Sequence, residues 1–218
     1  YTSAKNNWDV RLKNAVWPLG KAVVKSEDFA FASLLRQWGL AAPTNGQWPC
    51  QFVEEKGLHC IAKQSSLESL LGLNRPAVLH MKNDQGEGFF VALTHVQGDQ
   101  ATIEVNGESM QAELAELATY WSGETVVIWQ PPPGYKGSLR KGHTGKVVSW
   151  LSDRLAKIES VQYTGEKSDS VYGQKHVAAI KRLQEQHNLE VDGIAGKETL
   201  IVVNSLSRAE VPYLKDEK

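Results

Sequence analysis

Three consecutive prolines, Pro131-Pro132-Pro133, sit in the stretch QPPPGYKGS between Gln130 and Ser138 and divide this sequence. Proline locks φ and carries no backbone N–H, so neither a helix nor a strand ladder passes through such a run. A domain break is therefore placed here, giving residues 1–130, a stiff Pro/Gly linker at 131–137 and residues 138–218. A chain of 218 residues is long enough for two small domains with separate cores. Its 24 basic and 25 acidic residues nearly cancel, and no basic run stands out, so a nucleic-acid footprint is not expected. No segment approaches the roughly 18 apolar residues of a membrane helix, and no signal-peptide pattern opens the chain. The opening YTSAKNNWDV reads as the interior of something longer.

Before the prolines the pattern is mixed. Ser26-Glu27-Asp28 offers a cap, FAFASLLRQWGL follows at helical spacing, and Gly39 stops it. SSLESLLGLN, from Ser65 to Asn74, predicts a second short helix. PAVLHM, GFFVALTHV and ATIEV predict three strands, the last two joined by a hairpin at QGDQ. QAELAELATYW then predicts a helix through Leu114, Leu117 and Trp121, and TVVIWQ a closing strand. Helices beside an antiparallel sheet make an α+β fold.

The two cysteines, Cys50 and Cys60, lie in WPCQFVEEKGLHC. Glu54, Glu55, Lys56 and Gly57 between them suggest an exposed hairpin closed by a disulfide, with two buried free thiols as the other reading. Closing so short a loop would add roughly 2–3 kcal/mol and implies an oxidising compartment. A zinc site from Cys50, His59 and Cys60 lacks a fourth ligand, and no metal or cofactor is expected. His80 and His95 fall on predicted strands and read as packed or surface histidines.

After the prolines the periodicity is wholly helical. Val147, Val148, Leu151 and Leu155 form one stripe; Val177, Ile180 and Leu183, with Leu189 and Val191 after a turn, form a second; Leu200, Val203 and Leu206, flanked by Ile201 and Val202, form a third. GKVVSWLSDRL and GQKHVAAIKRL read as a diverged repeat. VDGIAG, with Asp192-Gly193 and Gly196, makes tight turns before the third helix.

These residues resemble the common bacterial peptidoglycan-binding domain. Its pattern is matched in order and spacing by Gly142, Gly145, Val148 and Leu151, then Ile180, Leu183 and Gln184, then Leu189, Asp192, Gly193, Gly196 and Thr199. Leu183 stands where an aromatic is usual, Ser152 follows Leu151 in place of the usual Gln, and IESVQYTGEKSDSVYG replaces a short loop. The resemblance implies a compact three-helix module that binds peptidoglycan. Exposed donors and acceptors on a rigid frame are needed for that ligand, and Arg154, Arg182, Gln184, Asp192, Gly193, Gly196 and Thr199 are the candidates. Asp192-Gly193 would also serve simply as a turn, and Val148 and Leu151 as core.

Residues 14–130 resemble the bacteriocin-processing cysteine peptidases, a papain-like family, through SEDFAFASLLRQWGL, RPAVLHM, FFVALTHV and YWSGETVVIW. Thiol hydrolysis needs a thiolate, a histidine beside it and a group that orients the histidine. Here the nucleophile position falls near Asp28 or Phe29, the base at Gly88 or Phe89, and the orienting group near Asn106. No Cys/His pair is present, so no catalytic residue is assigned. The two halves together resemble the periplasmic part of the general secretion pathway protein A family. That resemblance implies a non-catalytic region of a single-pass inner-membrane protein acting in type II secretion. It further implies peptidoglycan, secretion protein B and the outer-membrane secretin as partners, and homo-oligomers of the full-length protein. The alternative is a cell-wall hydrolase or peptidase targeted by its peptidoglycan-binding module.

Overall fold

A six-stranded sheet and a cluster of short helices account for most of the chain. The computed structural model describes residues 8–12, 15–18, 25–44, 46–167 and 169–215. It divides into two compact units: Tyr1–Leu67, Arg75–Ile128 and Pro212–Lys218 form the first, and Glu68–Asn74 with Trp129–Val211 the second.

In the first unit, β1 (Trp8–Leu12) and β2 (Ala15–Pro18) pair antiparallel, a hairpin for which the sequence pattern gave no expectation. α1 (Ser26–Gln37) begins with acidic Glu27 and Asp28, ends with basic Arg36, and is followed by Gly39 at φ 68°. Six strands follow: β3 (His59–Gln64), β4 (Ala77–Lys82), β5 (Gly88–Gln97), β6 (Gln100–Val105), β7 (Glu108–Glu113) and β8 (Trp121–Trp129). They form one sheet in the order β3-β8-β4-β5-β6-β7. Ala30, Phe31, Leu34 and Leu35 of α1 pack on Val78, Ala92 and Ile128, which share one sheet face. Leu79, Met81, Phe89, Val91, Leu93 and Val127 are buried on the other. Ser33 Oγ donates to Glu104 Oε2 at 2.6 Å and Arg36 pairs with the same oxygen at 3.1 Å, fixing α1 over β6.

Three expectations need correction. The segment between the cysteines is not a hairpin but a short helix, α2 (Pro49–Glu54), a turn at Gly57 (φ 75°) and then β3. Pro49 starts that helix with its preset φ, and buried Val53 anchors it. Cys50 and Cys60 are joined by a disulfide across 10 positions, and both pack against the α1 cluster. The segment given to one helix from Gln111 is β7 first and α4 (Leu114–Tyr120) only afterwards. The cause is Asn106-Gly107, both at positive φ (50° and 86°), a two-residue turn that pairs Val105 with Glu108 and extends the sheet. Finally, the closing strand begins at Trp121 rather than Thr125.

In the second unit, α5 (Lys146–Leu155), α6 (Gln174–Gln186) and α7 (Lys197–Leu206) are the three helices of the apolar stripes. Val148, Leu151, Leu155, Ile180 and Leu183 are buried, whereas Val191 is exposed, because the chain leaves α6 at Asn188 (φ 53°) before reaching it. Leu200, Ile201, Val202 and Val203 are all buried, so α7 is covered all round. Part of that cover is α3 (Leu67–Leu73): Ser205 Oγ donates to Leu73 O at 3.0 Å, and Asn188 Nδ2 to Glu68 Oε1 at 2.6 Å. The proline segment is packed as well. Tyr135 N donates to Pro132 O at 3.0 Å, the Tyr135 ring meets Trp129 edge-on, and Asn204 Nδ2 holds Gln130 O at 3.0 Å. Among the described residues no helix is long and apolar enough to cross a membrane.

Replacing both cysteines by serine removes a covalent tie on the α1 cluster. The double variant is expected to lose about 2–3 kcal/mol of unfolding free energy, read from denaturant midpoints, and a reductant is expected to lower the parent protein to the same level.

Candidate functional site

The VDGIAG turn is organised by one amide. Gln184 projects from α6 and is 2% exposed. Its Nε2 donates to Asp192 Oδ1 at 2.8 Å and to Ile194 O at 3.0 Å, with Thr199 Oγ1 at 3.4 Å, and its Oε1 accepts Gly193 N–H at 2.9 Å. Asp192 Oδ1 also accepts Ile194 N–H at 2.8 Å. Gly193 holds φ 75°, and a Cβ there would stand 2.9 Å from Val177 Cγ1. Gln184, Gly193 and Thr199 are thus buried parts of the turn's frame, Gly196 is half-buried, and Asp192 remains at the surface.

The arginine candidates lie elsewhere on the unit. Arg182 is exposed but donates to Val161 O at 3.0 Å, tying α6 to the 3-10 turn at Glu159–Val161. Arg154 is half-buried, its guanidinium over the Trp150 ring at 5.6 Å.

The turn is bonded to a second loop. Leu139 and Ala195 exchange both backbone hydrogen bonds, at 3.0 and 2.8 Å, and buried Tyr172 donates its hydroxyl to Gly193 O at 2.9 Å. Gly142 N donates to Tyr172 O at 2.9 Å, Tyr172 N to His143 O at 2.8 Å, and Gly145 N to Ser170 O at 2.9 Å. Along this pinned loop opens a cleft of about 560 Å³, lined among others by Lys136, Ser138, His143, Thr144 and Lys146. The sequence reading missed these residues. The available signal was local: Lys136, Arg140, Lys141 and Lys146 occur with no acidic residue between Pro131 and Ser152.

Beneath this loop His176 is buried. Its Nδ1 accepts Gly173 N–H at 3.2 Å at the start of α6, so in the neutral ring Nε2 carries the proton toward Ser152 Oγ (2.8 Å) and Tyr163 (3.1 Å). With that tautomer His176 cannot take a proton from Ser152, and Ser152 is wholly buried. Burial lowers the His176 pKa, against a smaller opposing pull from Asp169.

In the first unit, the expected nucleophile position near Asp28 or Phe29 falls in the first turn of α1. Ser26 is buried there, its Oγ accepting Phe90 N–H at 3.0 Å, while Asp28 and Phe29 are exposed. Phe89 is fully buried, and Asn106 makes the β6–β7 turn. Both cysteines of the chain are in the disulfide, so it offers no thiol in this state. A cleft of about 340 Å³ lined by Val78, His80, Phe90, Glu124 and Val126 holds an imidazole–carboxylate contact, His80 Nδ1 to Glu124 Oε2 at 2.7 Å. Ser122 Oγ donates to His80 O at 2.8 Å and approaches the same Nδ1 at 3.4 Å. Nε2 instead faces Gly88, where a Cβ would stand 2.6 Å away.

The family model of the GspA peptidase C39-like domain matches residues 21–131, just over half of the 218 positions. The chain belongs to this family. A second model, described as "Putative peptidoglycan binding domain", matches residues 144–202. General secretion pathway protein A of Aeromonas hydrophila is 25% identical over 191 residues, covering 87% of this chain. The match covers 34% of that relative, so this GspA-family chain spans about a third of its length. A periplasmic domain of the EpsAB fusion protein of the Vibrio vulnificus type II secretion system shares the fold. Its TM-score is 0.55 and its identity 19%, over 87% of this chain and 83% of that one.

Two expected outcomes follow from the turn and the histidine. Gln184→Ala leaves the Gly193 N–H and Ile194 C=O without their partner and should cost about 2–3 kcal/mol in thermal or denaturant unfolding. His176 has a folded pKa below its ordinary 6.5, so the unfolded chain binds the proton more readily. Its contribution to stability is whole above about pH 6.5 and is lost as pH falls through the folded pKa. Melting temperatures from pH 7.5 to 5 should therefore fall more steeply for the parent than for His176→Asn.

Proposed function

We propose that this chain is the non-catalytic, peptidoglycan-binding, periplasmic region of a type II secretion assembly factor. The observation that carries the wall-binding part is the second unit's pinned frame, in which the Gln184-braced turn, inside the matched residues 144–202, is bonded to the cleft loop, most of which lies just before them. A rigid frame limits the ordering cost of binding a flexible polymer. The disulfide supports an oxidising compartment, which the periplasm is. Consumption of both cysteines in that bond, with Asp28 and Phe29 at the expected nucleophile position, supports a peptidase-type fold used without its chemistry.

In this reading the chain belongs to a single-pass inner-membrane protein and helps the secretin assemble through the wall. Secretion protein B is its partner there, and homo-oligomers form in the full-length protein. The match to general secretion pathway protein A and the shared fold of a periplasmic domain from a type II secretion system protein support these assignments.

The purified chain should sediment with isolated sacculi and leave them intact in a zymogram. If it stays in the supernatant at micromolar sacculus concentration, wall binding is wrong. A cleared zone would instead make the protein a wall-targeted hydrolase.

A further inference from the structure

We propose that the cleft at Lys136–Val147 is a carboxylate-binding subsite that takes the anionic peptide stem of peptidoglycan rather than its sugars. This deepens the wall-binding reading and rests on it.

Charge is the first argument. The cleft is lined by two lysines, an imidazole and the hydroxyls of Ser138 and Thr144, with no acidic side chain and no carbocyclic aromatic ring. Sugar sites draw on carboxylate or amide acceptors and ring faces, and this lining supplies neither. Among the described residues Lys136 and Lys146 have no ion-pair partner, so both ammonium groups are available. Arg140 and Lys141 are exposed on the same loop and add to the positive field.

Preorganisation is the second. Bonds from Leu139 to Ala195, from Gly142 and His143 to Tyr172, and from Gly145 to Ser170 fix the loop along its length. α5 opens into the cleft at Lys146 and Val147 and has no side-chain cap, so its first amides and its dipole also favour an anion. Backbone donors held in place before binding lose little freedom when a carboxylate arrives. With a volume of about 560 Å³ the cleft is large enough for a short peptide segment and larger than a single ion needs.

The test uses the whole chain, parent and Lys136→Gln/Lys146→Gln, after melting curves confirm equal folding of these exposed positions. Each is sedimented at low salt with native sacculi, with sacculi whose carboxylates have been converted to amides by carbodiimide and ammonia, and with stem-free glycan strands. The double variant should bind native sacculi about a hundredfold more weakly, since each of the two charged contacts is worth roughly tenfold. The parent should bind amidated sacculi and bare strands with a similar loss. Equal binding of parent and variant to native sacculi would overturn the subsite, as would equal binding of the parent to native and amidated material. Retention on bare strands at native strength would overturn the choice of stem over glycan. Absence of binding by the parent to every preparation would sink the wall-binding reading and this subsite with it.

Discussion

The second unit depends on a buried primary amide. Gln184 is the single side chain that bonds Gly193, Ile194 and Asp192 together and reaches Thr199 at the start of α7. A Gln can do this because it carries two donors and an acceptor at the end of a chain long enough to cross from α6 to the turn. Its burial is tolerable only because each of those groups is satisfied. With the turn fixed, Ala195 is placed to bond Leu139 and Gly193 to receive Tyr172, and the lysine-lined loop inherits its position from them. The basic cleft is therefore a downstream result of packing inside the helical unit.

Much of the fold was readable from the sequence. Period-3.6 stripes at Val148, Leu151 and Leu155 and at Ile180 and Leu183 mark core faces that are buried in the structure, and the aromatic and β-branched content of GFFVALTHV marks a strand. What escaped notice was local backbone chemistry. Asn106-Gly107 is among the stronger short hairpin signals, yet the apolar spacing of Leu114, Leu117 and Trp121 drew attention to the helix beyond it. Pro49 is likewise a helix-start signal, masked by the charged residues that follow it.

The candidate site was less legible, for a physical reason. A motif built from Gln184, Asp192, Gly193, Gly196 and Thr199 looks functional in sequence because its spacing is strict. In the structure Gln184, Asp192, Gly193 and Thr199 are joined by hydrogen bonds inside the turn. Lys136, His143 and Lys146 follow no spacing pattern and gather only because the loop is bent by its bonds to Tyr172 and Ala195. Spacing therefore exposes a frame more readily than it exposes what the frame presents to solvent.

The strand order of the first unit has a consequence for how the chain reaches its native state. β8 is the last of the six strands in sequence yet lies between β3 and β4. Until residues 121–129 are in place, β3 and β4 lack their shared neighbour, and each presents an open row of amides and carbonyls. Folding of this sheet must wait for a long-range closure, which is slow compared with forming local hairpins such as β5–β6. A chain truncated before β8 therefore leaves two strand edges open to edge-to-edge association.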